Sequence, residues 1–204
     1  MKQILYFLLA VAILTACGTP QKTKEPTAVK DEIKPETEAF WNSLKALQGK
    51  SFEGKLADPS AGGDAFSGKK LVMHVLFADE QTILIPFNVG DDRSRTWIFK
   101  LQDGRIELKH DHRLEDGSPD KDTMYGGTST NSGSGTMQIF PADEQTLELI
   151  PAAFTNIWWV TVNDTAYTYN LRRMGTDRVF TVLFDLTTPI ETPLASWGWE
   201  NFGK

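Results

Sequence analysis

The chain has 204 residues, 40% of them hydrophobic, a formal net charge of −6 and one cysteine, Cys17. A mildly acidic chain offers no dense basic field of the kind a nucleic-acid groove needs, so nucleic acid is not an expected partner. One thiol cannot make an intrachain disulfide, and beyond the first residues no apolar run is long enough to cross a bilayer as a helix.

Met1-Lys2-Gln3 gives a short basic start, and residues 4–14 form an apolar run too short to span a membrane, which reads as a secretory signal. The run ends in Leu14-Thr15-Ala16-Cys17, which resembles the lipobox of bacterial lipoproteins. The resemblance implies removal of the signal peptide 1–16 and acylation of Cys17, with palmitate among the chains attached. One acyl chain holds a protein to a membrane weakly and several hold it firmly. Lipidation also leaves no thiol for a metal site or a nucleophile. Gly18 after Cys17, in place of Asp, is similar to the outer-membrane sorting signal of some Gram-negative bacteria. The expected location is therefore the cell envelope, lipid-anchored at the periplasmic face of the outer membrane. After Cys17, residues through 36 are rich in Lys, Glu, Thr and Pro, a solvated tether with little to bury. About 165 residues, 37–204, remain for one domain with its own core.

That domain begins with a short helix. Phe40, Leu44 and Leu47 fall on one face with Trp41 beside them, Thr37 suits the N-cap and Gly49 the end. Short β-rich runs follow at 52–56, 71–77, 82–89, 95–102, 105–112, 136–140, 157–162, 166–173 and 178–186, with only 142–149 suited to another helical turn. Strands at this spacing without repeated helices indicate an all-β antiparallel sandwich or barrel of about 8–10 strands. The segment Ala46-Leu47-Gln48-Gly49-Lys50-Ser51-Phe52-Glu53-Gly54, a short helix and then Gly-x-x-Phe entering the first strand, resembles the opening of lipocalin-like barrels, including the fatty-acid-binding and nitrobindin types. The resemblance implies a lipocalin-like β-barrel. Phe52 stands where many relatives carry Trp, and the paired cysteines of many secreted lipocalins are missing.

Two hairpins can be registered from sequence. Asp103-Gly104 is a two-residue turn. It sets Leu101 against Ile106, Phe99 against Leu108, Trp97 against His110 and Arg95 against His112 on one face. Lys100–Glu107, Ile98–Lys109 and Thr96–Asp111 fall on the other. A slip by one residue would destroy this apolar-in, charged-out agreement. Turns at Asn163-Asp164 and at 175–177 likewise place Trp158, Val160, Val162, Tyr167, Tyr169, Leu171, Phe180, Val182 and Phe184 inward, with Arg173 ending that column and Trp159 and Arg172 outward.

His110 and His112 then point into the barrel from one strand. His-x-His can present two metal ligands, zinc above all, and a metal-dependent hydrolase using His110 and His112 is one reading. His74, the third histidine, lies too many strands away to complete such a site along the wall, and Arg95 would repel a cation. In a second reading, Arg95 turns inward above Trp97 beside His110 and His112, and Tyr169 and Arg173 join them to form a binding site for a small amphipathic ligand. An arginine fork matches a carboxylate, and apolar residues beneath it suit a hydrophobic body. This reading needs no cofactor and no catalytic residue. A third is a solid barrel, an envelope scaffold that binds a partner near Trp159, its histidines hydrogen-bonded in a polar rim. The charged run 91–95 is also expected to form local salt bridges, and Glu115, Asp116, Asp120 and Asp122 a solvated loop. The Gly-rich 124–127 and 131–135 read as turns or a flap over the mouth, and Trp197-Gly198-Trp199 as packing that closes the barrel bottom.

Overall fold

The computed structural model describes residues 32–58 and 63–202. The expected signal peptide, Cys17 and most of the expected tether lie outside the described residues. Helix α1 (Pro35–Lys45) takes in the last two residues of the expected tether, because Pro35 at the first turn needs no amide partner and has its φ preset. Glu36 and Glu38 add negative charge where the helix dipole favours it. Thr37 does not cap this helix. It is buried within the first turn, and its hydroxyl donates to the Ser132 carbonyl at 3.2 Å. Gly49 ends the turns that follow the helix with φ +78°, and its amide donates to Val75 O at 2.8 Å.

Among the described residues eleven strands follow: β1 (Ser51–Leu56), β2 (Leu71–His74), β3 (Phe77–Ala78), β4 (Thr82–Val89), β5 (Asp92–Gln102), β6 (Arg105–His112), β7 (Tyr125–Thr128), β8 (Met137–Pro141), β9 (Asn156–Val162), β10 (Ala166–Arg173) and β11 (Val179–Asp185). A short α2 (Gly63–Phe66) precedes β2, and α3 (Glu144–Leu149) and a 3₁₀ turn (Pro151–Ala153) join β8 to β9. The strands form one antiparallel sheet in the order β7-β6-β5-β4-β2-β1-β11-β10-β9-β8, with β3 on β4. It curls until its two edges meet, a nearly closed barrel consistent with lipocalin-like architecture. The expected strand 71–77 is two pieces, because pairing with β4 slips between Met73↔Phe87 and Phe77↔Leu84.

The Gly-rich 124–127 is not a flap. It contains most of β7, the strand that closes the barrel. Gly127 lies so close to β8 that a Cβ there would sit 1.8 Å from the Pro141 carbonyl oxygen. Beside it the Asp143 amide donates to Gly126 O at 3.0 Å, and the Gly126 amide donates to the Thr146 hydroxyl at 2.7 Å. Any side chain on Gly127 would hold the two edges apart, which is why glycines occupy the middle of this strand where β-branched or aromatic residues usually stand.

The hairpin registers are those expected. Arg95 faces His112, Trp97 faces His110, Phe99 faces Leu108 and Leu101 faces Ile106. Tyr167, Tyr169 and Leu171 face Val162, Val160 and Trp158. Every apolar residue assigned to the β9–β11 inner face is buried in the one core cluster. Phe40, Trp41 and Leu44 of α1 join the same cluster, and the Trp41 indole donates to Asp79 O at 3.0 Å, so α1 closes the end where β4 begins. The opposite end holds the start of β5, the end of β6 and the end of β10.

The outward face of the β5–β6 hairpin differs from expectation along most of its length. Lys100 is exposed, but Thr96, Ile98, Lys109 and Asp111 are buried. Two segments cover Lys109 and Asp111. The start of α3 and the Asp143 before it cover Lys109, whose ammonium donates to Asp143 at 2.5 Å and Gln145 at 2.7 Å. The C-terminal segment covers Asp111, which accepts from the Trp199 indole at 2.8 Å. Trp197 and Trp199 therefore pack on the outer wall and do not close the barrel bottom, which α1 occupies.

Candidate ligand pocket at the open end of the barrel

A cavity of about 240 Å³ lies inside the barrel at the end opposite α1. Arg95, Trp97, His110, His112, Tyr169 and Arg173 all line it. Three strands supply them: β5 carries Arg95 and Trp97, β6 carries His110 and His112, and β10 carries Tyr169 and Arg173. Period-two alternation puts each on the inner face. Among the other residues that line it are Phe66 of α2, Tyr125 of β7, Trp158 of β9 and Arg178 just before β11. Arg178 was legible in sequence, two residues before the inward Phe180. Tyr125 was hidden by the glycines of β7, and Phe66 sits in a segment with no periodic signal.

The aromatic walls interlock. Trp97 stacks on Phe87 at 4.7 Å and on Tyr169 at 4.5 Å between ring centroids. His110 stacks on Tyr125 at 4.6 Å with rings 10° apart. Its Nδ1 lies 3.0 Å from the Tyr125 carbonyl, which can only accept, so the proton sits on Nδ1. Nε2 then accepts from the Tyr169 hydroxyl at 2.7 Å. Burial lowers the His110 pKa to about 3, so the ring is neutral at physiological pH. His112 is lowered to about 4, first by burial and then by the Arg95 guanidinium, and its Nε2 shares a proton with the Tyr125 hydroxyl at 3.0 Å. Burial raises Tyr125 to about 12 and Tyr169 well above the ordinary phenol value.

With both imidazoles neutral, the positive charge of the pocket comes from arginines. Arg95 pairs with Asp92 at 2.5 Å and lies 5.4 Å over the Phe66 ring, so it is both the local ion pair and the inward cation expected of the 91–95 run. Burial works to raise the Asp92 pKa, but hydrogen bonds from Ser94 and Arg95 outweigh it and hold the carboxyl below its usual range. Arg93 points the other way, donating to Ala195 O at 2.6 Å on the outer wall. Arg173 donates through Nε to Asn156 Oδ1 at 2.9 Å, and Arg178 is exposed at the mouth. Among the described residues neither Arg173 nor Arg178 has an ion pair.

His74 is turned outward on β2, with Nδ1 2.9 Å from the Ser51 hydroxyl, and takes no part in the pocket. Both nitrogens of His110 are occupied by protein groups, and among the described residues no three His, Cys, Asp or Glu side chains are grouped to hold a metal. In the 115–122 loop, Asp116 accepts from the amide and hydroxyl of Ser118, and Asp120 from the Asp122 amide, which are turn-forming contacts.

No protein-family model matches this chain, and no curated protein matches it in sequence.

Proposed function

We propose that this protein is a lipid-anchored envelope protein with a lipocalin-like barrel that binds a small amphipathic anion in the pocket at its open end. The observation that carries the reading is one cavity with three arginines, two of them without an ion pair among the described residues, set against walls of aromatic rings. A guanidinium offers paired donors to a carboxylate, and the rings take up an apolar body that must leave water. The neutral histidines act as wall and hydrogen-bond partners. Their nitrogens engage Tyr125 and Tyr169, which favours ligand binding over metal-dependent hydrolysis. The membrane link rests on the lipobox resemblance at Cys17.

The test compares a carboxylate with its neutral alcohol analogue. The carboxylate is expected to quench tryptophan fluorescence and raise the melting temperature, because a ligand that binds only the folded state stabilises it. Arg95→Ala should weaken the carboxylate about ten-fold and the alcohol little, since only the charged head loses a partner. Equal affinity for the two analogues, or stoichiometric zinc in purified protein that is lost in His110→Ala, would overturn the proposal.

A further inference from the structure

We infer that the ligand is a compact aromatic anion, about two fused rings bearing one carboxylate-sized group, and not an acyl chain. The inference rests on the anion-binding reading above and specifies the ligand class.

Size comes first. An apolar protein cavity of about 150 Å³ holds one benzene. At about 240 Å³ the pocket has room for roughly one ring more. The barrel beneath is not hollow: Phe99, Phe140, Val160 and Val182 are fully buried there, and α1 fills the far end with Phe40, Trp41 and Leu44. An acyl tail would have to displace close-packed side chains or trail out through the mouth into water.

The walls are also fixed in place. Tyr169 is held by its bond to His110 and its stack on Trp97, Trp97 is held by Phe87, and His110 is held at both nitrogens. Such a wall cannot repack to follow a flexible chain. A rigid planar ligand loses little conformational freedom on entry, and its ring edges and faces complement those lining the cavity.

Charge sets the direction of entry. Arg178 is exposed at the mouth, Arg173 lies beside it at the end of β10, its amide donating to Arg178 O at 3.0 Å, and neither has an ion pair among the described residues. Deeper in, the polar groups of His110, His112, Tyr125 and Tyr169 are uncharged and bonded to one another. The anionic group is therefore held at the rim, where Arg95 at the start of β5 also lines the cavity, with the rings inward.

The experiment is calorimetric titration of the mature protein with 2-naphthoate, 2-naphthol and laurate. Expected are one 2-naphthoate per chain, bound at least about ten-fold more tightly than either 2-naphthol or laurate. Arg178→Ala, at an exposed position, should weaken 2-naphthoate about ten-fold with an unchanged melting temperature. Laurate bound more tightly than 2-naphthoate, and still weakened by Arg178→Ala, would overturn the compact aromatic ligand while leaving the anion site standing. Neither carboxylate bound more tightly than 2-naphthol would overturn both.

Discussion

Three substitutions in the β5–β6 hairpin separate what the strand pattern dictates from what the rest of the fold adds. Phe99 is fully buried and meets Phe140 edge to face, with centroids 6.0 Å apart. Phe99→Ala removes a buried ring and leaves a cavity, so a loss of about 3–5 kcal/mol is expected. Lys100 is next in sequence and exposed on the outer face, and Lys100→Ala should cost less than about 0.5 kcal/mol. Lys109 lies on that same outer face, yet its side chain is only 5% exposed, and its ammonium is bonded to Asp143 and Gln145. Breaking a buried pair from one side costs about 3–5 kcal/mol. Asp143 keeps partial access to water, which brings the expected loss at Lys109→Ala to about 2 kcal/mol. Urea unfolding of the three variants, followed by tryptophan fluorescence with midpoint and slope fitted together, gives the ranking Phe99 > Lys109 > Lys100. Equal costs at Phe99 and Lys100 would refute the register. A Lys109 variant as stable as the Lys100 variant would refute the covering of the outer wall by the start of α3 and the Asp143 before it.

Three more perturbations probe other parts of the molecule. His110 and His112 have folded pKa values lowered to about 3 and about 4, beneath the ordinary 6.5, so the unfolded chain binds protons that the folded chain refuses between those limits. Their contribution is fully present above about pH 6.5 and is lost as the pH falls towards 4, on the order of a few kcal/mol in all, so the urea midpoint should drop across that window; a flat midpoint from pH 7 to 4.5 would contradict it. Gly127→Ala puts a Cβ 1.8 Å from the Pro141 carbonyl oxygen and should part β7 from β8 at a cost of about 1–3 kcal/mol, seen as faster hydrogen exchange at the Gly126 and Asp143 amides. Unchanged exchange there would show that the seam does not depend on this glycine. Cys17→Ser should move the protein from the membrane fraction to the soluble fraction or leave it unprocessed, and normal processing with membrane retention would remove the lipid-anchor proposal.

Much of the candidate pocket was legible in the sequence because its elements are hairpins. At Asp103-Gly104 a tight turn fixes which residues oppose each other, and alternation fixes which face is apolar, so Arg95, Trp97, His110 and His112 could be grouped from local information alone. The same logic carried Tyr169 and Arg173 to the end of the β10 column and should have carried Arg178 to the start of β11. The all-β class also followed from composition and spacing. What local pattern could not supply was every contact between residues far apart in the chain. The distance between the β5–β6 and β10–β11 hairpins depends on how the sheet closes. Closure depends on Gly126 and Gly127, whose lack of side chains hides a strand from any propensity argument while letting two backbones meet. The buried outer face of Lys109 and Asp111 depends on α3 and on Trp199, which lies 88 positions beyond Asp111. The neutrality of His110 and His112 depends on burial that exists only once both hairpins face each other. Alternation orients a side chain inward or outward from its own strand, and only the packed barrel decides whether inward means filled or hollow and whether outward means water.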